Sequence, residues 1–586
     1  MRSSTRIAPP RGRRGRPLAG LTRGNLVREL GAGVTLLAIA VPLNIGYAQI
    51  AGLPPTAGLY ALVVPSIVFA LTASSRQLVA SPDAAASALV ASSIGGLAVA
   101  GSADYATMAL AQAIICGVVF ALAAVFKLGF LASFLSKPVL VGFIGGLALD
   151  ILVSQVAKML GVPIDSSREF VEKLAELAGN LGEADLWSAV IATASVLVLV
   201  VGRRIARLVP WALVVLVGST IAVVLLDLDG AGVDVLGEVP AGPPVLTWPI
   251  LEWATWFALV PSALALVLVT IAEGLLVARA YAERHGYRDD PNRDLFAFGL
   301  GNIAAGATGG YVVGASASRT AAVDLAGSRT QLPAIVAAIG TLLLLLFGTA
   351  VLADIPSPAI GAVVAVAVAP LLGLREFAQL RRTARFEFWI AVVCFAATLF
   401  IGAIPGILVA FVLALVNLAR RAARPALDVL AADGVPTDSL LDPAPKGSVT
   451  EPGVVVLRLA APLFFANAAS FADASRLAVT GAAEPVHHLV LDCEAITDVD
   501  VTGAEAFASL RDWLRQRDVA LAMSRVRPGV RDAFERFGLL DGVDIHATNR
   551  AALAAAADTT RSAGAARVAD ATPVADEEDA DGRSDR

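Results

Sequence analysis

Long apolar runs recur from residue 31 to about residue 422, and no other feature restricts the possible folds as strongly. A helix needs about 20 apolar residues to cross a hydrocarbon core of about 30 Å. The 586-residue chain is 57% hydrophobic and 16% charged, and its mean hydropathy is +0.73. Soluble domains average about 45–50% apolar and about 25% charged residues. The sequence therefore predicts an α-helical polytopic protein embedded in a lipid bilayer.

About fourteen candidate spans can be counted, and two of them, beginning near Asp83 and Ser316, are short and contain polar residues. The spans lie near residues 31–50, 56–73, 84–100, 106–126, 133–155, 186–202, 208–226, 259–281, 295–309, 316–327, 331–352, 356–373, 387–403 and 405–420.

The basic residues give an orientation for these spans. With a cytoplasmic N-terminus, alternate loops collect Lys and Arg, as the positive-inside rule requires. The predicted outer loop 227–250 contains four acidic residues and no Lys or Arg. We interpret the Arg-rich start, Arg2 to Arg28, as a cytoplasmic flank rather than as a nucleic-acid-binding arm or a targeting peptide. We therefore expect a bacterial inner-membrane protein with both termini in the cytoplasm and no nucleic-acid partner.

A change of periodicity near Gly453 marks a second domain. Short strands alternate there with helical segments, a βα pattern typical of a small α/β domain. The predicted strands are Val454–Leu459, His488–Asp492 and Val519–Met523, and the predicted helices are 467–479, 502–516, 528–537 and 549–558. We divide the chain into a basic N-terminus (1–28), a transmembrane domain (29–423), a Pro/Gly/Asp linker (424–452), an α/β domain (453–558) and a tail (559–586) whose composition predicts disorder.

The cysteines and histidines form no recognisable metal or disulfide framework. Cys116, Cys394 and Cys493 are far apart in sequence, and His487 and His488 are neighbours on a predicted strand, where they would point to opposite faces. We expect no metal, no cofactor and no enzymatic activity.

The first informative motif is Val41-Pro-Leu-Asn-Ile-Gly-Tyr-Ala-Gln-Ile-Ala-Gly-Leu-Pro-Pro55, which continues to Tyr60. A Pro inside a span is tolerated where neighbouring helices satisfy the backbone groups that it leaves free. The motif favours a transporter over a passive membrane anchor.

Two further motifs occupy corresponding positions in the two halves of the membrane region: Ser75-Arg-Gln-Leu-Val-Ala-Ser-Pro-Asp-Ala-Ala-Ala-Ser-Ala88 and Gly309-Gly-Tyr-Val-Val-Gly-Ala-Ser-Ala-Ser-Arg-Thr-Ala-Ala322. Each leads from an extended stretch into a short helix of small residues, which predicts inverted repeats with broken helices that meet in the membrane. The N-termini of half-helices attract anions, and Arg319 adds a full positive charge. The alternative is that the small residues only allow close helix packing.

Glu273, in Thr270-Ile-Ala-Glu-Gly-Leu-Leu-Val-Ala-Arg279, is an ionisable residue deep in a span and therefore a functional candidate. A carboxylate beside an anion site must be neutralised by a proton or a cation while the anion is bound, and this would couple the two solutes. An internal Glu273–Arg279 ion pair is the alternative. Asp83 is a second candidate for coupling, unless it caps the first half-helix.

These motifs together resemble the sulfate permease (SulP) family of anion transporters, over roughly residues 31–558. Asp290-Pro-Asn-Arg-Asp-Leu295, Gly299–Asn302 and a C-terminal sulfate-transporter/anti-sigma-antagonist (STAS) domain follow the family pattern in the same order. The resemblance implies seven-plus-seven inverted repeats, a core domain that moves against a gate domain, a homodimer, and a substrate site between the third and tenth spans.

By this resemblance, Glu273 occupies the acidic coupling position, and seven residues form the substrate site: Tyr47, Asp83, Ala84, Ala315, Ser316, Ser318 and Arg319. The sequence departs from the family at Leu43, where many members have Gln, and at Asp83, where many have an apolar residue. Sodium-coupled relatives carry a hydroxyl at the position of Val277, so we favour protons over sodium as the coupling ion.

In anti-sigma antagonists similar to the STAS domain, the hydroxyl residue before the Gly of Asp498-Val-Asp-Val-Thr-Gly-Ala-Glu505 is phosphorylated. That residue is Thr502 here, so it is a candidate regulatory site, and a cytoplasmic protein is a candidate partner. The alternative is that Thr502 only caps its helix.

Several functions remain open at this stage. The leading one is secondary active transport of a small oxyanion, with proton-coupled sulfate uptake ahead of bicarbonate or dicarboxylate transport. A passive anion channel would not need buried carboxylates, and an anion sensor would bind tightly without turnover. A nucleobase transporter with the same repeats would not be expected to carry a STAS domain.

Overall fold

The computed structural model describes residues 18–129, 137–165, 168–206, 209–432, 442–445 and 447–570. The Arg-rich stretch before residue 18, much of the predicted linker and the predicted tail from residue 571 lie outside these ranges. The chain divides into two compact units, Met1–Ala414 and Leu415–Arg586.

The chain is helical from residue 26 to residue 423, past the end of the first unit, and each of the fourteen predicted spans coincides with a helix. Within the described ranges, seven helical segments are long and apolar enough to cross a membrane, and three apolar helices are shorter. The helices are α1 (Leu26–Ile50), α2 (Pro55–Thr72), α3 (Ala84–Ile94), α4 (Ala103–Val125), α5 (Lys137–Leu160), α6 (Phe170–Gly179), α7 (Leu186–Ile205), α8 (Trp211–Leu226), α9 (Trp253–His285), α10 (Pro291–Ala307), α11 (Ala317–Leu325), α12 (Leu332–Phe347), α13 (Ala350–Ala353), α14 (Ser357–Val368), α15 (Leu374–Thr383), α16 (Arg385–Phe400) and α17 (Ala403–Ala423).

The helices α3 and α11 are the two spans that the sequence predicts to be broken, and they contain only 11 and 9 residues. Each follows a two-residue strand, β1 (Ala80–Ser81) before α3 and β2 (Gly314–Ala315) before α11. Both strands are buried. An extended segment therefore replaces the first part of each span, and each helix begins in the interior of the unit.

The helices pack in two groups, which correspond to the predicted core and gate. Helices α1 to α4 contact α9 to α12, whereas α5, α7, α8, α14 and α16 contact one another. Glycine allows the close approach of α4 and α10, because a Cβ on Gly299 would lie 3.0 Å from the carbonyl oxygen of Gly117. Helices α1 and α3 also contact members of the second group. This arrangement confirms the predicted fold class.

The second unit is a five-stranded sheet with helices, in the strand order β3-β4-β5-β6-β7. Strands β4 to β7 are parallel, and β3 is antiparallel to β4. The elements are β3 (Leu427–Val429), β4 (Val454–Leu459), α18 (Ala468–Thr480), β5 (His488–Asp492), α19 (Val501–Arg515), β6 (Ala520–Ser524), α20 (Pro528–Arg536), β7 (Asp544–His546) and α21 (Asn549–Asp570). The predicted α/β domain is confirmed.

The structure differs from the predicted division of this region at three points. Strand β3 lies within the segment predicted to be a linker, and β7 was not predicted as a strand. Each has three residues, too few for an alternating pattern to be visible. Helix α21 continues to Asp570, although disorder was predicted from residue 559. The low hydrophobicity of 559–570 suggested disorder, whereas its alanines favour helix.

Candidate functional site

The two short helices begin side by side because the strands that precede them pair. Strand β1 is antiparallel to β2, with Ala80 opposite Ala315 and Ser81 opposite Gly314. The N-termini of α3 and α11, which lie in corresponding positions of the two halves, therefore meet. Each N-terminus presents N–H groups without intrahelical partners and a partial positive charge of about half an elementary charge.

Each helix is capped by a polar residue of its own. Asp83 Oδ1 accepts a hydrogen bond from the Ala86 N–H at 2.8 Å, and Ser316 Oγ accepts one from the Arg319 N–H at 3.4 Å. Asp83 thus has the capping role that was one of its two predicted roles. The first two residues of α11, Ala317 and Ser318, are exposed, so this end of the site is accessible.

Arg319 is buried between the two helix ends, with 1% of its surface exposed. Its Nε donates to Ser316 Oγ at 2.8 Å, and its Nη1 donates to Asn44 Oδ1 at 2.5 Å. Its Nη2 donates to the carbonyl oxygen of Pro82. The guanidinium lies 5.6 Å from the centre of the Tyr47 ring, within the range of a cation–π interaction. None of the ion pairs among the described residues includes Arg319, so no bonded carboxylate neutralises its charge.

The structure brings the seven predicted substrate residues into one place. Ala315, in strand β2, and Ala84, the first residue of α3, are both buried, and Ser318 Oγ lies 3.5 Å from Ser316 Oγ. Tyr47 and Asp83 stand next to Arg319 and to the start of α3, as described above. Alanine and serine at both helix ends leave the backbone N–H groups approachable.

Helix α9 borders the site next to Asp83. A Cβ on Gly314 would lie 2.3 Å from Asp83 Oδ2 and 3.4 Å from Thr270 Oγ1 of α9. Glu273 follows Thr270 by three residues, so both stand on the same face of α9. Glu273 is half-buried and lies within electrostatic range of Asp83.

The predicted alternative for Glu273, an ion pair with Arg279, is not formed. Arg279 Nε instead pairs with Glu283 at 3.0 Å, and both side chains are about two-thirds exposed, at 69% and 68%. The spacing of four residues between Arg279 and Glu283 gives adjacent positions on the helix surface, whereas a spacing of six does not.

Three polar groups at this site were not predicted from the sequence. Asn44 is fully buried, accepts the bond from Arg319 and donates its Nδ2 to the Gly58 carbonyl at 3.2 Å. Ser87 Oγ donates to the Asp83 carbonyl at 2.7 Å and lies 3.0 Å from Tyr311 Oη. An amide two residues after the mid-span Pro42 was the available signal for Asn44, and Ser87 and Tyr311 stand inside the two broken-helix motifs.

A second set of hydrogen bonds fixes the extended segments. Asp294 Oδ1 accepts from the N–H groups of Ser74 at 2.6 Å and of Ser75 at 3.0 Å. Asn302 Oδ1 accepts from the Val313 N–H at 3.0 Å, and its Nδ2 donates to the Val313 carbonyl at 2.9 Å. Side chains of α10 therefore hold the backbone that leads into both β1 and β2.

Thr502, in the second unit, is exposed in the first turn of α19. Its predicted alternative role as the helix cap is wrong, because Asp500 is the cap. Asp500 Oδ1 accepts from the Gly503 N–H at 2.7 Å, and Oδ2 accepts from the Phe465 N–H at 2.9 Å. The cap was misplaced because the helix was predicted to begin at residue 502, and it begins at Val501.

The chain is similar to the models of one family and one domain, and to proteins described as sulfate transporters. The model of the sulfate permease family matches residues 26–394, and that of the STAS domain matches residues 448–552. A protein described as a probable sulfate transporter of Mycobacterium tuberculosis (strain CDC 1551 / Oshkosh) is 35% identical over 513 residues, which cover 87% of this chain and 91% of that protein. The chloroplastic sulfate transporter 4.1 of Arabidopsis thaliana is 29% identical, over 88% of this chain and 77% of that protein.

Two solved structures share the fold. The murine Slc26a9 anion transporter in the inward-facing state matches with a TM-score of 0.82 and 23% identity, over 92% of each chain. The transmembrane domain of a cyanobacterium bicarbonate transporter, BicA, matches with a TM-score of 0.59 and 21% identity, over 67% of this chain and 98% of that one.

Proposed function

The chain belongs to the sulfate permease family and carries a STAS domain, and we propose that it is a secondary active transporter that takes up sulfate together with protons. Sulfate is the substrate that the names of its relatives indicate. The substrate site is formed by Tyr47, Asp83, Ala84, Ala315, Ser316, Ser318 and Arg319.

The observation that supports anion transport best is the position of Arg319 between two paired helix N-termini. A buried guanidinium with no hydrogen-bonded carboxylate is unfavourable unless a nearby ionised carboxylate or a bound anion compensates its charge. Two helix ends of about half an elementary charge each add to the attraction. An oxyanion such as sulfate accepts hydrogen bonds from backbone N–H groups and from hydroxyls such as Ser318.

Proton coupling is supported by the charge balance of the site. Arg319 and the two helix ends together supply about two positive charges, and ionised Asp83 and Glu273 cancel them. When protons neutralise both carboxylates, the site matches a dianion in charge, and when one is neutralised it matches a monoanion. Sulfate would therefore move with more protons than bicarbonate.

We propose an elevator-like movement of the core group of helices against the gate group. The site lies within the core, because α3, α9 and α11 all belong to that group, and strand pairing and Arg319 join the two broken helices. The binding residues would therefore move as one body while the gate stays in place. The protein would act as a homodimer in a bacterial inner membrane, with Thr502 as a regulatory site read by a cytoplasmic protein.

Uptake of radiolabelled sulfate into proteoliposomes tests this function. An inwardly directed proton gradient should accelerate uptake, and an equal gradient of sodium should not. Bicarbonate and succinate, tested as competitors and as labelled substrates, distinguish sulfate from the alternative anions. Sulfate uptake that does not depend on the proton gradient would contradict coupling. Uptake of bicarbonate without uptake of sulfate would show that bicarbonate is the substrate.

A further inference from the structure

A cavity of about 380 Å³ lies between the core and gate groups, separate from the residues of the substrate site. It is lined by the end of α1, one side of α3, one side of α5, the segment that begins α6, and the chain between α16 and α17. Positive-inside topology predicts that this end of α1 and α5 faces the outside of the cell.

One face of α5 gives the cavity its polar character. Asp150, Ser154, Gln155 and Lys158 all line it. Asp150, Ser154 and Lys158 follow one another by four residues and Gln155 precedes Lys158 by three, which places them on one side of the helix. Gln155 is 1% exposed, and no hydrogen bond of its side-chain amide is formed among the described residues. A buried amide without a partner, facing a cavity, is unfavourable unless a ligand or water satisfies it.

The charges around the cavity leave Lys158 without a carboxylate. Lys173 pairs with Asp150 at 2.7 Å, and Arg168 pairs with Asp165 at 3.5 Å. Lys158 Nζ donates to Gln49 Oε1 at 3.0 Å, and none of the ion pairs between described residues includes it. The remaining acid of the lining, Glu169, is exposed at the rim, whereas Lys158 is half-buried.

The opposite wall of the cavity leads to the substrate site. It consists of small residues on one side of α3, among them Ala88, Ala91 and Gly95. Ala88 is four residues from Ala84, about one helical turn or 6 Å along the axis of α3. An anion held in this cavity would therefore lie close to the N-terminus of α3.

We infer that this cavity is a second, outer anion-binding position, in which Lys158 and Gln155 hold a small oxyanion before it reaches Arg319. The ammonium supplies charge and the amide N–H groups supply two further donors. The small side chains on this side of α3 leave room for the anion to move towards Arg319. The hydrogen bond to Gln49 orients Lys158. The inference has two parts. The loading of the transport site from this position rests on the proposed function, whereas the binding of an anion in the cavity does not.

Uptake kinetics test the loading role. Lys158→Gln should raise the KM for sulfate about tenfold, the effect of losing one charge-assisted hydrogen bond, with kcat within about twofold of wild type. Arg168→Gln is the matched control, because Arg168 lines the same cavity but is paired and exposed, and it should leave KM unchanged. An unchanged KM in Lys158→Gln, with normal uptake by the wild type, overturns the loading role alone.

Thiol protection tests binding without transport. The three native cysteines are buried, so the reaction of Ala91→Cys with a charged thiol reagent can be followed in the purified full chain. Sulfate should slow this reaction, protection should need about ten times more sulfate after Lys158→Gln, and Arg319→Gln should leave it intact. Protection with no uptake would reject the proposed function and keep the outer site. Failure of sulfate, bicarbonate and succinate alike to protect would overturn the outer site.

Discussion

Arg319 Nη2 donates a hydrogen bond to the backbone carbonyl of Pro82, which lies 237 positions earlier in the chain. Pro82 lies just before α3, and Arg319 lies in the first turn of α11, so this bond joins the broken helices of the two halves. The strand pair Ser81–Gly314 joins them a second time. The positive charge is therefore fixed in position relative to both helix N-termini before any anion arrives, and binding needs little rearrangement.

Arg319→Gln should weaken sulfate binding at least about 100-fold, about 2.7 kcal/mol, because it removes the only full positive charge assigned to the site. Arg319→Lys should retain part of the affinity, since it keeps the charge but loses the planar fork that reaches three acceptors. Titration calorimetry on purified protein gives the affinities, with every variant made in the Lys158→Gln background so that the proposed outer position contributes little to the signal. Arg279→Gln, an exposed arginine on α9, is the control and should bind normally, and monodisperse elution should show that every variant folds. Wild-type affinity in Arg319→Gln would remove this residue from the site.

The sequence was sufficient to predict the spans, the symmetric pair of broken helices and most of the sheet, because these depend on local hydropathy and on the spacing of small residues. It did not predict the partners of Arg319. Asn44 and Pro82 lie 275 and 237 residues away, and no local pattern carries contacts of that range. The cap at Asp500 was missed for a different reason: the predicted cap, Thr502, lies two residues after the observed one, because local sequence does not define a helix boundary to the residue.

Gly314→Ala should destabilise the protein through Asp83. A Cβ at residue 314 would lie 2.3 Å from Asp83 Oδ2, so the carboxylate must move and the α3 cap is lost, at a cost of about 1–2 kcal/mol. In the double variant Gly314→Ala with Asp83→Ala the clash disappears, so the two effects should be less than additive. Thermal unfolding of the wild type, the two single variants and the double variant gives the stabilities for this double-mutant cycle. Gly96→Ala, where nothing lies within 4 Å of the added Cβ, is the control, and strictly additive effects would show that the two residues do not interact.

Glu273→Gln should abolish acceleration of sulfate uptake by a proton gradient while leaving some gradient-independent exchange. The substitution keeps the size of the side chain and removes a titrating group that lies within electrostatic range of Asp83. Glu283→Gln, on the same helix but exposed, should keep the full response. Counterflow of labelled against unlabelled sulfate measures exchange, and uptake at several imposed gradients measures coupling. A normal gradient response in Glu273→Gln would show that Glu273 is not the coupling residue, and Asp83 would then be the remaining candidate.

The pH dependence of the sheet in the second unit should follow Asp492. Burial alone would raise the pKa of this carboxyl, but hydrogen bonds from Arg525 and Arg458 keep the pKa below its ordinary value. A carboxyl whose pKa is lower in the folded state than in the unfolded state stabilises the folded state. This stabilisation is complete above the unfolded pKa of about 3.9, and it is lost as the pH falls through the lower folded pKa. The protection of β5 amides in the full chain, corrected for the pH dependence of intrinsic exchange, should therefore fall below about pH 4.

Asp492→Asn should lose about 3 kcal/mol of this protection near neutral pH, because it leaves two arginines without their buried acceptor, and it should lack the acid-dependent step. Asp473→Asn, whose side chain is 80% exposed, is the control and should change protection by less than about 0.5 kcal/mol. An acid step of the same size in Asp492→Asn would assign it to another group.

Asp500→Ala should weaken the start of α19, whereas Thr502→Ala should not. Removing an aspartate cap costs about 1 kcal/mol, and here it also leaves the Phe465 N–H without its acceptor. Thr502 is exposed and does not cap the helix, so its truncation should change stability by less than about 0.5 kcal/mol. Hydrogen exchange of the first turn of α19 and of the peptide containing Phe465 measures both effects in the full chain. Equal loss of protection in the two variants would return the capping role to Thr502, whereas the expected difference leaves its hydroxyl free for phosphorylation.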